Sequence, residues 1–258
     1  MSVEYNPKVS TDKLVFLVDA ANPKSLSGPS ATTWNSTGDS REIAYPNWGG
    51  PNSGTLDSGA SYDSGNLGAI QFGSGDHVSF GEEFFDPGDD QSPDGSRSFS
   101  TTFWFKHDDT SDYMTLIGND TTDDFCLLIY LFGKEKMRIA SDGQNGSGND
   151  TTFWTAPFVF DPNIWYNAVM IRDHDGSNYT FKQYVNGEFV AQSSALNDGP
   201  SSANVSNGSK TIGRSKNLGV SQSTMNFRGL ISYVSAYQKV LSAEEVKQNY
   251  DALKWRYV

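Results

Sequence analysis

The sequence predicts an all-β protein, an antiparallel two-sheet β-sandwich of jelly-roll type with one short helix near the C-terminus. Three observations lead there. Short apolar stretches recur at roughly 8–15-residue spacing, separated by Gly, Pro, Asn and Ser turns, as sandwich strands do. Helical periodicity is confined to one segment close to the end. Aromatic residues make up 13% of the 258 residues, 16 Phe, 12 Tyr and 6 Trp, which is enough ring surface for a large core although hydrophobic residues total only 36%.

Residues 1–12 are polar, carry Pro7 and read as an N-terminal arm, and residues 13–258 show no composition break and read as one domain. The first strand is expected over 13–19. There Leu14, Phe16 and Val18 face one way and Val15 and Leu17 the other, so both sides should be buried. From 22 to 68, dense Gly, Pro, Ser and Asn predict short strands and long loops anchored by Trp34, Ile43, Tyr45, Trp48 and Leu56. Strands over 69–72 and 77–80 flank the tight turn Gly73-Ser74-Gly75-Asp76.

The 98–106 segment alternates, with Phe99, Thr101, Phe103 and Phe105 on one face and Trp104 on the other. Trp104 and Trp165, which opens a later strand, are therefore expected in the core. Strands over 113–118, 125–132 and 136–140 follow, then a pair over 165–172 and 178–185. Asn186-Gly187 marks a type I′ hairpin, since both of its central positions need positive φ. Strands over 210–214 and 225–236 close the set, the latter with Met225, Phe227, Gly229, Ile231 and Tyr233 on one face. The helix is predicted over 242–253. Ser242 is its N-cap, Glu245 closes a capping box, and Leu241 with Val246 forms a hydrophobic staple. Val246, Tyr250 and Leu253 supply the docking stripe.

Charge and cysteine content narrow the function. With 19 Lys+Arg against 31 Asp+Glu the formal charge is −12, which argues against nucleic acid as a partner. Cys126 is the single cysteine, so an intrachain disulfide and a cysteine metal cluster are both excluded. The start of the chain lacks the basic and apolar regions of a secretory signal, so synthesis in a reducing compartment is expected. The apolar runs at 14–18 and 126–132 are too short to cross a bilayer as helices, and no membrane insertion is expected.

Five segments carry a resemblance. They are Leu14-Val15-Phe16-Leu17-Val18-Asp19-Ala20-Ala21-Asn22-Pro23, Gly54-Thr55-Leu56, and Ala69-Ile70-Gln71-Phe72-Gly73-Ser74-Gly75-Asp76-His77-Val78. The fourth is Trp165-Tyr166-Asn167-Ala168-Val169 followed by Tyr184-Val185-Asn186-Gly187-Glu188, and the fifth joins Phe227-Arg228-Gly229-Leu230-Ile231 to Leu241-Ser242-Ala243-Glu244-Glu245-Val246. In this order they resemble the concanavalin A-like lectin/glucanase superfamily in its laminin G-like branch. The opening and closing segments also resemble those of structural proteins of tailed phages, notably marine ones. That likeness implies a virion location and needs no signal peptide.

The superfamily's glycanases carry a Glu-x-Asp-x-Glu pair of catalytic carboxylates, spaced for retention by the two-residue strand period. No such triplet occurs here, and Glu82-Glu83-Phe84-Phe85-Asp86 has the wrong period. His77, His107 and His174 show no metal-ligand spacing. An enzyme is not expected. The resemblance implies a structural calcium, for which Asp76 is the candidate ligand, and this chain departs from the acidic pattern at His77 and Ser232. A sugar site needs an aromatic platform beside polar groups. Trp154 with Phe153, next to the 142–152 loop, and Trp48 are the candidates, the alternative being rings that plug the sandwich edge.

Two functions fit these readings. One is a non-enzymatic virion structural protein, a capsid decoration or tail component, whose arm or acidic loops contact other virion proteins or copies of itself. The alternative is a carbohydrate-binding lectin module for host-surface glycans.

Overall fold

A computed structural model describes residues 8–37, 53–80, 98–108, 113–119, 127–132, 136–142, 151–197, 210–215 and 225–257. The N-terminal third carries β1 (Leu14–Asp19), β2 (Thr33–Asn35), β3 (Ser53–Asp57), β4 (Ser61–Asp63), β5 (Ala69–Phe72) and β6 (His77–Ser79). The middle carries β7 (Phe99–His107), β8 (Tyr113–Asn119), β9 (Leu127–Phe132), β10 (Lys136–Asp142) and β11 (Thr151–Val159). Next come β12 (Tyr166–His174), β13 (Asn178–Val185), β14 (Glu188–Gln192) and β15 (Leu196–Asn197). The chain closes with β16 (Lys210–Ile212), β17 (Arg214–Ser215), β18 (Met225–Asn226), β19 (Gly229–Tyr237) and the helix α1 (Ala243–Leu253).

The strands form two antiparallel sheets and a small ribbon. The first sheet runs β14-β13-β12-β7-β19-β5-β4, with β1 added to β19 and β15 to β13. The second runs β11-β10-β9-β8-β16-β6-β3-β2, and β17 pairs with β18. Phe72, Phe103, Phe105, Ile129, Leu131, Ile139, Phe160 and Phe181 meet between the sheets in one core. The predicted all-β sandwich with a single C-terminal helix is the architecture observed.

Local chemistry explains the elements. On β7, Phe99, Phe103 and Phe105 enter the core while Trp104 turns to the outer face of the first sheet. At the hairpin between β13 and β14, Asn186 (φ 52°) and Gly187 (φ 81°) take the positive dihedrals that a type I′ turn requires. Ser242 caps α1, accepting from the Glu245 N–H while the Glu245 side chain accepts from the Ser242 N–H. Leu241 and Val246 then join Leu14, Val169, Ile171, Tyr184 and Tyr237 in a second apolar cluster, so the helix covers the outer face of the first sheet.

Two expectations about strand faces are corrected by bulges. A register shift between Leu14 and Phe16 turns Leu14 toward the helix and sends Val15, Phe16 and Val18 into the core. The single strand expected over 225–236 is divided: Met225 lies in β18, and β19 starts at Gly229. A second shift between Ile231 and Tyr233 puts Ile231, Val234 and Ala236 in the core in place of a uniform alternation. The 151–159 stretch, expected to begin as loop, is the edge strand β11.

The C-terminus is locked down by aromatic and ionic contacts. Trp104 is fully buried between Tyr250 (ring centroids 5.7 Å apart) and Tyr257 (4.2 Å), both nearly parallel to it. Trp165 is half-buried immediately before β12 and packs on Tyr257 at 4.7 Å, outside the inter-sheet core. Arg256 grips Asp19 with both guanidinium nitrogens, at 3.1 and 2.9 Å, and also donates to Ser232 Oγ. Residues 8–12 lie against the helix: Ser10 N–H donates to Asn249 Oδ1, Tyr237 Oη to the Ser10 carbonyl, and Gln248 Nε2 to the Lys8 carbonyl.

Candidate functional site

The second sheet has a face turned away from the core, and it is unusually aromatic. Met114, Leu116, Ile129, Leu131, Met137 and Ile139 point inward. On the opposite side Leu128, Tyr130 and Met225 form a separate buried cluster, with Tyr113 and Phe132 half-buried against it. Strand register brings these residues together from distant parts of the chain. Thr115 pairs with Tyr130, Tyr130 with Arg138, and Arg138 with Thr155, making one row across β8, β9, β10 and β11. Tyr113, Phe132 and Lys136 form the adjacent row.

Tyr113 and Tyr130 each pack edge to face with Phe132 and are tilted at 34° to one another. Tyr113 and Phe132 lie 5.4 Å apart at 64°, and Tyr130 is 6.1 Å from Tyr113 and 6.4 Å from Phe132. The Arg138 guanidinium stacks 3.6 Å from the Phe132 centroid. Its Nε donates to Thr155 Oγ1 at 2.7 Å and its Nη1 to Tyr130 Oη at 3.3 Å. Burial raises the Tyr130 phenol above its ordinary value, against the lowering effect of the Arg138 bond and charge. The phenol therefore stays protonated, able to accept from Arg138 and donate elsewhere.

The ribbon β17–β18 lies over the β8 side of this face. Met225 packs on Leu128 and Tyr130. A side chain at Gly118 would meet Ser215 Cβ at 2.6 Å and Thr115 Cγ2 at 2.9 Å, so the glycine lets the ribbon sit directly on the strand. Thr115 Oγ1, Ser215 Oγ and Asn226 Oδ1 are buried there without hydrogen-bond partners.

The sequence-derived candidates fall elsewhere. Trp154 pairs in register with Ile139, packs against the inter-sheet core and stacks on Phe181, with centroids 6.3 Å apart at 19°. It stands half-buried at the edge of the sandwich interior. Phe153 takes the register position opposite Ala140, and its side chain lies outside the described residues, as does Trp48. Asp76 closes its own turn: Oδ2 accepts the Gly73 N–H at 2.7 Å, and a side chain at Gly59 would come within 2.9 Å of Oδ1. His77 beside it directs Nδ1 to the Gly75 carbonyl, with Arg214 Nη2 at 3.0 Å and Asp57 Oδ2 at 3.6 Å from Nε2. Among the described residues no group of three or more His, Cys, Asp or Glu side chains comes together to hold a metal.

Sequence reasoning missed Tyr113, Tyr130, Phe132 and Arg138. The available signal was the outward set of three neighbouring strands. Tyr113, Tyr130 and Phe132 occupy positions that a solvent-facing antiparallel sheet normally fills with polar side chains.

A two-sheet antiparallel sandwich of this strand order, with one short C-terminal helix, is a lectin-like jelly roll in its architecture. The chain belongs to the concanavalin A-like lectin/glucanases superfamily, whose laminin G-type family model matches residues 72–247. Solved structures agree on the fold. Domain 4 of an extracellular arabinanase from Geobacillus stearothermophilus, in complex with arabinotriose, superposes with a TM-score of 0.59 at 15% identity, over 93% of this chain and 100% of that one. The binding domain of botulinum neurotoxin serotype D/C gives 0.59 at 13% identity over 93% of this chain. A Trypanosoma rangeli sialidase mutant gives 0.58 at 12% identity over 97%. This chain spans 52% of the toxin binding domain and 34% of the sialidase. No curated protein matches the sequence.

Proposed function

We propose that this chain is a non-catalytic glycan-binding module that holds its sugar on the outer face of the second sheet. The observation that carries this is the pair of half-buried rings Tyr113 and Phe132 beside Arg138 and Thr155 on adjacent strands, with Tyr130 buried beneath them. Sugars present apolar C–H faces ringed by hydroxyls, and a face combining rings with fixed polar groups matches both. The absence of a Glu-x-Asp-x-Glu triplet in the sequence supports binding without turnover. Further support comes from the arabinanase domain, which is of the same extent and was solved with arabinotriose.

The test is a glycan array followed by calorimetry. Tyr113→Ala is expected to lower affinity at least tenfold while the melting profile stays cooperative. Unchanged affinity in Tyr113→Ala would remove this face as the site. Trp154→Ala, the edge position favoured by sequence, is expected to act on stability instead.

The place of the module is a separate proposal. The phage-like opening and closing segments support a virion appendage, where the domain would display its glycan face and contact neighbouring virion proteins or copies of itself. Mass spectrometry and antibody-gold labelling of purified particles test it, and absence from every particle would overturn it.

A further inference from the structure

We propose that residues 8–12 form a proton-operated clasp. Asp12 and Glu245 share Lys239 to hold this segment on α1 at neutral pH, and acid releases it while the sandwich stays folded. The segment has little else to keep it down. Val9 is its one apolar side chain and is half-buried, Ser10 is half-buried, and Lys8, Thr11 and Asp12 are exposed. A segment held by polar contacts with little apolar burial opens separately from the core. Ser10 N–H donates to Asn249 Oδ1 at 2.7 Å, Tyr237 Oη to the Ser10 carbonyl at 3.0 Å, and Gln248 Nε2 to the Lys8 carbonyl at 2.6 Å.

One carboxylate ties the pieces together. Glu245 Oε1 accepts from Ser10 Oγ at 3.2 Å and from Lys239 Nζ at 2.6 Å, while Oε2 accepts the Ser242 N–H at 3.0 Å. Lys239 Nζ also donates to Asp12 Oδ2 at 2.7 Å. The arm, the connection after β19 and the first turn of α1 therefore meet at one ammonium between two carboxylates. Two further charges face the cluster, Lys13 beside Asp12 and Glu244 beside Glu245. The Tyr237 phenol, pushed up to about 12 by burial, stays neutral.

The bond to Lys239 holds the Asp12 carboxyl below its ordinary value. Burial pushes the Glu245 carboxyl up, but the bonds from Lys239, the Ser242 N–H and Ser10 outweigh it. Burial also works against the Lys239 charge, and the bonds to Asp12 and Glu245 outweigh that, so the ammonium persists. Carboxylates depressed by folding stabilise fully above their unfolded values, about 3.9 for Asp and about 4.3 for Glu. That stabilisation is lost as pH falls through the lower folded values. Once both are protonated, Lys239 is left as a cation close to the N-terminus of α1, the positive end of the helix dipole. The group that held the arm then opposes the helix end, which favours release.

The experiment follows backbone amides of the full chain by NMR hydrogen exchange from pH 7 to pH 3, each rate taken relative to the unprotected rate at that pH. Protection of the Ser10 N–H is expected to fall at least tenfold below about pH 4, while the amides of Phe103 and Phe105 in β7 keep theirs. The Asp12→Asn/Glu245→Gln pair removes both charges and leaves an acceptor for the Ser242 N–H. In that variant Ser10 is expected to be as weakly protected at pH 7 as in wild type at pH 3, with no further change on acidification. Unchanged protection of Phe103 and Phe105 shows that the variant is folded. Ser10 protection that survives to pH 3, that disappears only together with that of Phe103 and Phe105, or that is unaltered at pH 7 in the double variant would overturn the clasp.

Discussion

Replacing Arg256 by Met should loosen the C-terminus by an amount the structure lets us work out. Arg256 and Asp19 form a two-pronged ion pair whose side chains are only 3% and 16% exposed. Methionine keeps the apolar stem and removes the charge, leaving the Asp19 carboxylate with little access to water. Breaking a buried pair from one side typically costs about 3–5 kcal/mol. The partial exposure of Asp19 places this case at the lower end, about 3 kcal/mol. Ser232 does not add to the loss, because its hydroxyl still donates to the Gly68 carbonyl and meets Tyr257 Oη. In a domain of this size about 3 kcal/mol lowers the melting temperature by roughly 6–12 °C. Thermal and urea unfolding of R256M measure the effect. The Asp19→Asn/Arg256→Met pair should recover about 2 kcal/mol relative to the sum of the single changes. A melting temperature for R256M within about 2 °C of wild type, or strict additivity in the double variant, would refute the buried-pair account.

Other predictions follow from other corners of the fold. Gln183 is fully buried beside Met170 and Ala191, and both of its amide atoms lack partners, so Gln183→Met should raise stability by about 1–3 kcal/mol in urea titrations. A loss of stability would show that the amide is satisfied. Burial pushes the Glu245 carboxyl up, but bonds from Lys239, the Ser242 N–H and Ser10 outweigh it and hold it below the usual carboxylate range. Its contribution is therefore complete above an unfolded value of about 4.3 and is lost as pH falls through the lower folded value. Glu245→Gln should cost about 1 kcal/mol at neutral pH and flatten the acid limb of the stability curve. An unchanged acid limb would contradict this. Gly118→Ala should push the β17–β18 ribbon off β8, at a cost of about 1–3 kcal/mol, and weaken glycan binding. Wild-type stability in that variant would mean the ribbon shifts freely.

The elements were legible where local chemistry alone determines them. Ser242 with Glu245, Asn186 with Gly187, and the alternation of Phe99, Phe103 and Phe105 each act within a few residues of themselves. The bulges near Leu14 and Ile231 were not legible, because an extra residue is recognised only against a partner strand. The same reason hid the site. Tyr113, Tyr130 and Arg138 share a face only once β8, β9 and β10 are in register. Trp154 misled because Phe153 beside it is also aromatic, so alternation cannot say which ring points inward. Pro157 is tolerated in β11 because that strand lies at the sheet edge, where a missing N–H need not break the ladder.

Residues 8–12 and the helix with its following turn all dock on the back of the first sheet, bonded to one another through Ser10 and Asn249. Lys8 and Tyr257 thus lie on the side of the sandwich opposite the Tyr113–Arg138 face. Under the glycan-binding proposal, fixing the protein to a surface through its helix side would leave the Tyr113–Arg138 face open to ligand, like a palm held outward.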